Sequence, residues 1–205
     1  MYRFSYLILL FLLINSQLFA QTINSLNLFT SAQIEFANTA HSVTYLSNEE
    51  KKVFLIINLA RMNPEIFNEL IINYKGIPNY PNAFLKNRKY LRSLSKELLA
   101  MDAMGPVYPN KDLWLLAKCH AIKSGEKGLL GHKRFGCQEL DFNQSECCSY
   151  GLQFAIDIVI QLLIDHNIYD LGHRKIILDP QQSFLGVSIQ DHKAYRYNAV
   201  LDFSY

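Results

Sequence analysis

The sequence predicts an α+β domain in which helices come first along the chain and strands come last. Between residues 47 and 167, apolar residues recur mainly at helical spacing. The stretches SFLGVSIQ and KAYRYNAVLDFSY near the C-terminus are instead rich in the β-branched and aromatic residues typical of strands. We therefore expect helices packed on an antiparallel sheet.

The N-terminal segment has the pattern of a secretory signal peptide. Arg3 precedes an apolar run from Leu7 to Ile14, and the segment ends near the small residue Ala20. The run is shorter than the roughly 20 apolar residues that a membrane span needs. We expect residues 1–20 to be removed and the mature protein to be exported, to a periplasm or outside the cell, without a transmembrane span. A retained N-terminal anchor is the alternative.

The remaining chain is predicted to be a loosely ordered leader followed by one domain. Residues 21–46 are rich in Asn, Ser and Thr and show no clear period, which predicts the leader. Ser47 and Glu50 form a capping-box pattern, and the domain is predicted to span residues 47–205. Half of the residues are hydrophobic and the formal net charge is +2, which is typical of a folded protein without a nucleic-acid partner. Nothing indicates an obligate oligomer, so a monomer is expected.

Start and stop signals place the elements within the domain. A helix from Ser47 ends at Asn63, where Pro64 begins a second helix that reaches about Tyr74. The next predicted segments are a long loop at 75–92, a short helix at 91–104, a helix capped by Asn110 and ended by Gly125 and Gly128, an irregular stretch at 131–151 and an apolar helix at 152–167. A hairpin turn at Asp191-His192 is predicted between the two strands.

The four cysteines are Cys119, Cys137, Cys147 and Cys148, and in an exported protein they can oxidise. Adjacent Cys147 and Cys148 would be strained if joined to each other. We expect one disulfide, from Cys137 to Cys147 or Cys148. A zinc site is the alternative, although no Cys-x-x-Cys spacing is present.

Two histidines and two acidic residues stand out between residues 131 and 174, namely His132, Glu146, Asp165 and His173. They are the ingredients of a divalent-metal site or of an acid/base cluster, although their spacing matches no short metal motif. His120 lies on the apolar face of its helix and is expected to be a buried, hydrogen-bonded core residue. Arg174 is expected to be structural, tying its loop to a carboxylate or to carbonyl groups.

Five fragments, in order, carry a resemblance to a known family. They are NLARMNP, LAKCHA, GLLGH, ECCSYG and LGHRKIILDPQQSFLGVSI. Together they resemble the CAP superfamily, or SCP/TAPS domain, which includes cysteine-rich secretory proteins, antigen 5 proteins and pathogenesis-related proteins of group 1. The likeness runs from about Ser47 to the C-terminus and is closest to the bacterial branch. It implies an α-β-α sandwich with a central antiparallel sheet flanked by helices.

The resemblance also implies an open cleft lined by His132, Glu146, Asp165 and His173. In some members of the family such a cleft holds zinc or magnesium, here through the two histidines. The chain departs from the family pattern at three positions. Cys147 stands where the family commonly has Asn, Asp165 is shorter than the Glu of many members, and Leu162 stands where many have Trp, which predicts a reshaped groove.

Three functions follow as expectations. The first is an exported protein whose cleft binds a small molecule, a lipid, a peptide or a surface polymer, with a divalent metal held by His132 and His173. The second is a metal-dependent, peptidase-like hydrolase in which the catalytic residue Glu146 acts as general base on a metal-bound water. The third is a non-catalytic extracellular interaction module. The residues alone do not decide between an enzyme and a binding protein.

Overall fold

The computed structural model describes residues 26–76, 82–138 and 144–205. The predicted signal peptide and residues 21–25 of the predicted leader lie outside this part of the chain. The elements in chain order are α1 (Ser31–Ala37), α2 (Asn48–Met62), α3 (Pro64–Asn73), a 3₁₀ helix (Ala83–Lys86), α4 (Arg88–Leu98), β1 (Tyr108–Pro109), α5 (Lys111–Lys127), β2 (Ser145–Tyr150), α6 (Ala155–Ile164), α7 (Gly172–Ile177), β3 (Phe184–His192) and β4 (Arg196–Ser204). The described chain is a mixed α/β structure, which confirms the α+β class. Within it, no helix combines the length and the apolar character needed to span a membrane.

The four strands form one sheet in the order β1-β3-β4-β2. β4 pairs antiparallel with both β3 and β2, so β2 lies at an edge of the sheet. β1 pairs parallel with β3, which makes the sheet mixed rather than purely antiparallel as predicted. Asp191 and His192 are the last residues of β3 and do not form the turn. The turn lies at residues 193–195, and Arg196 adopts a left-handed backbone with φ of 72° where β4 begins.

Helices pack on both faces of the sheet. Val187 of β3 and Leu201 of β4 point into the main hydrophobic core, which they share with α2 and α6. On the opposite face, Val200 packs with Ala117 and Ala121 of α5. Successive residues of a strand point to opposite faces, so neighbours in sequence belong to different helical layers.

Gly186 allows α5 to lie directly against β3. A Cβ atom at this position would overlap the backbone of Leu113 and Trp114. We expect Gly186→Ala to lower the free energy of unfolding by about 1–3 kcal/mol, because overpacking displaces backbone. Urea unfolding measures the loss. Gly105→Ala is the control, since no heavy atom lies within 4 Å of a Cβ there; equal midpoints for the two variants would contradict the prediction.

The helix signals at Ser47 and Asn110 are confirmed. The Ser47 side chain caps α2 and takes part in a capping box, and the Asn110 side chain caps α5. α5 ends at Gly128, which has a left-handed backbone. Gly125 lies inside α5 rather than at its end. A Cβ at Gly125 would overlap the carbonyl oxygen of Asp191, so this glycine is required by close packing and not by a helix stop.

The prediction of a loosely ordered leader is wrong for residues 26–46. This segment contains α1, which begins with a capping box between Thr30 and Gln33. Phe29 and Ala37 are buried in the main core. A helix this short has too few turns to show a clear apolar period, and its order comes from packing against the rest of the domain.

Two segments predicted as irregular contain regular structure. The loop predicted at 75–92 includes the 3₁₀ helix and the start of α4, whose N-cap is Asn87. The stretch predicted as irregular at 131–151 includes β2. The short sequence of β2, SECCSY, has no strong strand pattern of its own, and its pairing with β4 defines it.

The disulfide joins Cys119 to Cys137, so the prediction that Cys137 pairs with Cys147 or Cys148 is wrong. Cys119 lies on α5, and its Cα is 5.8 Å from that of Cys137, within the range that a disulfide spans. Cys147 and Cys148 are free thiols buried in β2. With Cys119 and Cys137 joined to each other, the four cysteines cannot all bind one zinc ion.

Candidate functional site

The four predicted cleft residues lie in two pairs around the edge strand β2. Glu146 is on β2, and His132 is in the segment between α5 and β2. Asp165 follows α6, and His173 is in the first turn of α7. The ring centroids of the two histidines are 6.3 Å apart. The fold thus brings together residues from four separate segments.

In the first pair, Nδ1 of His132 lies 2.7 Å from Oε1 of Glu146. An ionised carboxylate can only accept a hydrogen bond, so Nδ1 of His132 carries the proton. Nε2 of the neutral ring then keeps its lone pair. The His132 side chain is 59% exposed. Among the residues described, no group forms a hydrogen bond to its Nε2, so this atom is accessible to a ligand.

In the second pair, Nδ1 of His173 lies 2.7 Å from Oδ1 of Asp165. The other carboxylate oxygen accepts the backbone N–H groups of His173 and Arg174, at 2.9 and 3.3 Å. Asp165 is buried and has a left-handed backbone with φ of 54°. α6 consequently ends at Ile164, earlier than the predicted end near Asn167.

Arg174 is structural, as predicted. Its side chain is fully buried and donates to the carbonyl oxygens of Leu163 and Ile164 at the end of α6, at 2.6 and 2.9 Å. It also donates to Glu97 of α4 at 3.1 Å. These bonds hold the backbone next to His173 in place.

Glu146 is the centre of a larger cluster that the sequence did not predict. Its Oε2 lies 2.7 Å from Nδ1 of His120 and 2.6 Å from Nη2 of Arg134. Arg134 also pairs with both carboxylate oxygens of Asp202. Asp202 stands directly opposite Glu146 in the register of β2 and β4. Two carboxylates facing each other across a strand pair repel, and the guanidinium between them offsets that repulsion.

His120 is buried and hydrogen-bonded as expected, yet its partner makes it part of the site. Its Nε2 is buried and has no hydrogen-bond partner among the residues described. Arg134 lies in an irregular segment and gave no signal in the sequence. Asp202 did give one, because an acidic residue within the apolar run AVLDF needs a cationic partner when the strand is buried.

The cluster shifts the pKa values of its members. Burial alone would raise the pKa of Glu146, but two histidine hydrogen bonds and the adjacent Arg134 guanidinium outweigh burial and lower this pKa to about 2. The hydrogen bond to Glu146 raises the pKa of His132. Burial raises the pKa of Asp202 to about 6 despite its pairing with Arg134. Glu146 is therefore a stable anion at neutral pH.

One group of side chains in the cluster could hold a metal ion. A donor atom from each of His120, Glu146 and Cys148 lies within 4.8 Å of the other two. The Sγ atom of Cys148 is 3.5 Å from Oε1 of Glu146. Burial raises the pKa of Cys148, so in the absence of an ion this sulfur is a thiol.

Cys147 and Leu162, two of the three positions at which the chain differs from the family it resembles, are buried, as Asp165 is. Sγ of Cys147 lies 3.8 Å from the carbonyl oxygen of His173, so this thiol packs behind the second pair. Leu162 belongs to the main core and is 2% exposed. Its side chain packs among other apolar side chains of that core.

The two histidines differ in exposure: the His132 side chain is 59% exposed and that of His173 is 17% exposed. A cavity of about 700 Å³ is present elsewhere, between α3, the 3₁₀ helix and α4, with Tyr74, Leu85 and Leu91 among its lining residues. None of the four predicted cleft residues lines it.

A scan against protein-family models and searches of curated proteins and of solved structures found no match for this chain. What the site can do is therefore inferred from its own residues.

Proposed function

We propose that the chain is an exported member of the CAP superfamily that binds a ligand at His132 and His173 through a zinc ion. One observation carries the proposal. The two imidazoles, each held at Nδ1 by a carboxylate, stand with their ring centroids 6.3 Å apart at the edge of the sheet.

A carboxylate bonded to Nδ1 is the usual support for a metal-binding histidine. It fixes the tautomer and the ring orientation, and it makes Nε2 a better donor to the ion. A zinc–nitrogen bond is about 2.0–2.1 Å long, so an ion shared by the two rings would bring their Nε2 atoms to roughly 3.4 Å from each other. Two protein ligands leave the remaining positions of a tetrahedral ion for water and for a bound ligand.

Zinc fits this donor set better than magnesium. Imidazole nitrogen suits zinc, whereas magnesium prefers carboxylate, carbonyl and water oxygens. The carboxylates of Glu146 and Asp165 are the nearest oxygen donors, and both are already bonded to histidines and to other partners. They support the ring nitrogens rather than compete with them for an ion.

Ligand binding is favoured over hydrolysis because Glu146 is fully engaged. One oxygen accepts from His132, and the other accepts from His120 and Arg134. A general base works best when its pKa is near the operating pH, and the pKa of Glu146 is lowered to about 2. The contacts of Glu146 suit a residue that orients His132 rather than one that takes a proton from water.

Two further features support the export and family parts of the proposal. The disulfide between Cys119 and Cys137 suits an oxidising compartment outside the cytosol. Helices on both faces of the sheet agree with the α-β-α sandwich of the family. The exposed His132 side chain suits a peptide, a lipid or a surface polymer, part of which remains in solvent, as well as a small molecule.

Zinc is expected to raise the melting temperature of the metal-stripped protein, because an ion that binds the folded state stabilises it by about 2.7 kcal/mol at a concentration 100 times its Kd. His132→Ala and His173→Ala should each reduce this rise. His41→Ala is the matched control, since His41 is exposed and, among the described residues, its side chain bonds only to the carbonyl oxygen of Asn38. A thermal melt with and without zinc measures the effect. Equal rises in the four proteins would refute zinc binding at the pair.

A further inference from the structure

We propose that His120, Glu146 and Cys148 form a second metal site that takes a thiophilic divalent ion of the zinc and cadmium class. This site adjoins the proposed site of His132 and His173 and shares Glu146 with it, because Oε1 of Glu146 lies 2.7 Å from Nδ1 of His132 and 3.5 Å from Sγ of Cys148. Three donor types from two elements, α5 and β2, converge there in the interior of the protein.

The distances are close to those of a metal site. Zinc bonds of about 2.3 Å to sulfur and about 2.0–2.2 Å to nitrogen and oxygen place tetrahedral ligand atoms roughly 3.4–3.6 Å apart. Cys148 Sγ is 3.5 Å from a Glu146 oxygen, and no pair in the group exceeds 4.8 Å. His120 Nδ1 is 2.7 Å from the other Glu146 oxygen, so these two groups would move slightly apart around an ion.

The unpartnered nitrogen of His120 supports the same conclusion. His120 is 1% exposed, and its Nε2 has no hydrogen-bond partner among the described residues, which is rare for a buried polar atom. When Nδ1 of His120 binds the ion, its proton moves to Nε2, which has no partner in the described part of the chain either before or after binding. That cost is already present in the metal-free protein, so metal binding adds no new unsatisfied group.

The charges of the cluster also fit a divalent ion. Glu146 and Asp202 carry negative charges and Arg134 a positive one, so the metal-free group has a formal charge of −1. On binding, the thiol proton of Cys148 passes to solvent and the sulfur coordinates the ion, which brings the group to neutrality. Arg134 does not repel the ion strongly, because Asp202 pairs with it through both terminal nitrogens. No electron is transferred in this step.

The donor set selects the class of ion. Thiolate and imidazole ligands favour soft and borderline ions, whereas calcium and magnesium require mostly oxygen ligands. Cys148 shares its face of the sheet with Ala117 and Ala121 of α5, and Cys147 packs on the other face behind His173. Only one of the two adjacent thiols can therefore reach His120.

The test is a cobalt(II) titration of the metal-stripped protein, followed by the thiolate-to-cobalt charge-transfer absorption in the near ultraviolet. We expect this absorption in the parent protein and in Cys147→Ala. Cys147→Ala is the matched control, since both thiols are buried neighbours on one strand. Cys148→Ala should lose the absorption. Absence of the band in the parent, or an unchanged band in Cys148→Ala, overturns the proposal.

A second variant keeps the test decisive if Cys148→Ala does not fold, which circular dichroism will show. His120→Gln retains a donor toward Glu146 but removes the ring nitrogen. We expect it to weaken cobalt binding by about tenfold or more, because a primary ligand is lost. Unchanged cobalt affinity in His120→Gln overturns the proposal.

The two proposed metal sites can be tested separately. His173 belongs to the other pair, so His173→Ala should leave the thiolate–cobalt band unchanged. Repeating the zinc melts of His132→Ala and His173→Ala in a Cys148→Ala background isolates the exposed pair. A zinc effect that persists there without a thiolate band in the parent would support the exposed site alone. A thiolate band without that zinc effect would support the buried site alone.

Discussion

Replacing Arg61 by Ala is expected to lower the free energy of unfolding by more than about 4 kcal/mol, which is exceptional for a single substitution. Arg61 lies in the last turn of α2 and is 1% exposed. It donates four hydrogen bonds of 2.8–2.9 Å to the carbonyl oxygens of Gly105, Ile177, Asp179 and Gln182. Each buried carbonyl left unpaired costs about 1–3 kcal/mol, and the lost side chain also leaves a cavity.

Urea unfolding with circular dichroism measures this loss. Arg92→Ala is the matched control, because Arg92 is also on a helix but is exposed, and within the described part of the chain its side chain bonds only to the carbonyl oxygen of Arg88 in the same helix. Arg61→Lys should fall between the two, since an ammonium group cannot reproduce the planar set of donors. A loss below about 1 kcal/mol in Arg61→Ala would mean that water or nearby donors replace the guanidinium.

Acidification is expected to remove about 3 kcal/mol of stability through Glu146 alone, in a defined pH window. Its pKa is lowered from 4.5 to about 2 in the folded protein. The unfolded chain therefore takes up the proton more readily. The stabilisation is fully present above pH 4.5 and is lost as the pH falls toward 2.

The Glu146→Gln variant separates this contribution from those of other carboxylates. It should be less stable than the parent at neutral pH, and the difference should shrink between pH 4.5 and 2. Asp202 acts in the opposite direction at higher pH. Its pKa is raised to about 6, so its contribution to stability increases as the pH falls through 6 toward 4.

Urea unfolding of both proteins in a chelating buffer, over a pH series, measures the difference. Asp202→Asn is the second comparison, since it removes the higher-pH effect and retains the size of the side chain. A constant difference between the parent and Glu146→Gln over the lower window would show that Glu146 does not titrate as the cluster requires.

The parts of the fold that the sequence predicted are those set by local chemistry. The caps at Ser47 and Asn110 act on the backbone two or three residues away, so a few letters are enough to identify them. β2 could not be predicted because its strand structure depends on β4, some 50 residues further along the chain. The prediction that Gly125 ends its helix was wrong for the same reason, since the role of this glycine depends on the remote carbonyl group of Asp191.

The candidate site also contains residues that the sequence identified and residues that it did not. The resemblance singled out His132, Glu146, Asp165 and His173, and the fold places them in two bonded pairs. Their local partners could not be predicted. Three contacts of the Glu146 cluster come from α5, from the following segment and from β4, and only the tertiary structure brings these together.

The disulfide between Cys119 and Cys137 encloses part of this cluster in a covalent ring. His120, His132 and Arg134 all lie between these two cysteines in the chain, and all three contact the carboxylate of Glu146. Closing such a ring reduces the conformational freedom of its members before any ligand arrives. The pair of Asp165 and His173 has no comparable crosslink and depends on hydrogen bonds alone. One half of the site is therefore preorganised by oxidation, and the other by folding.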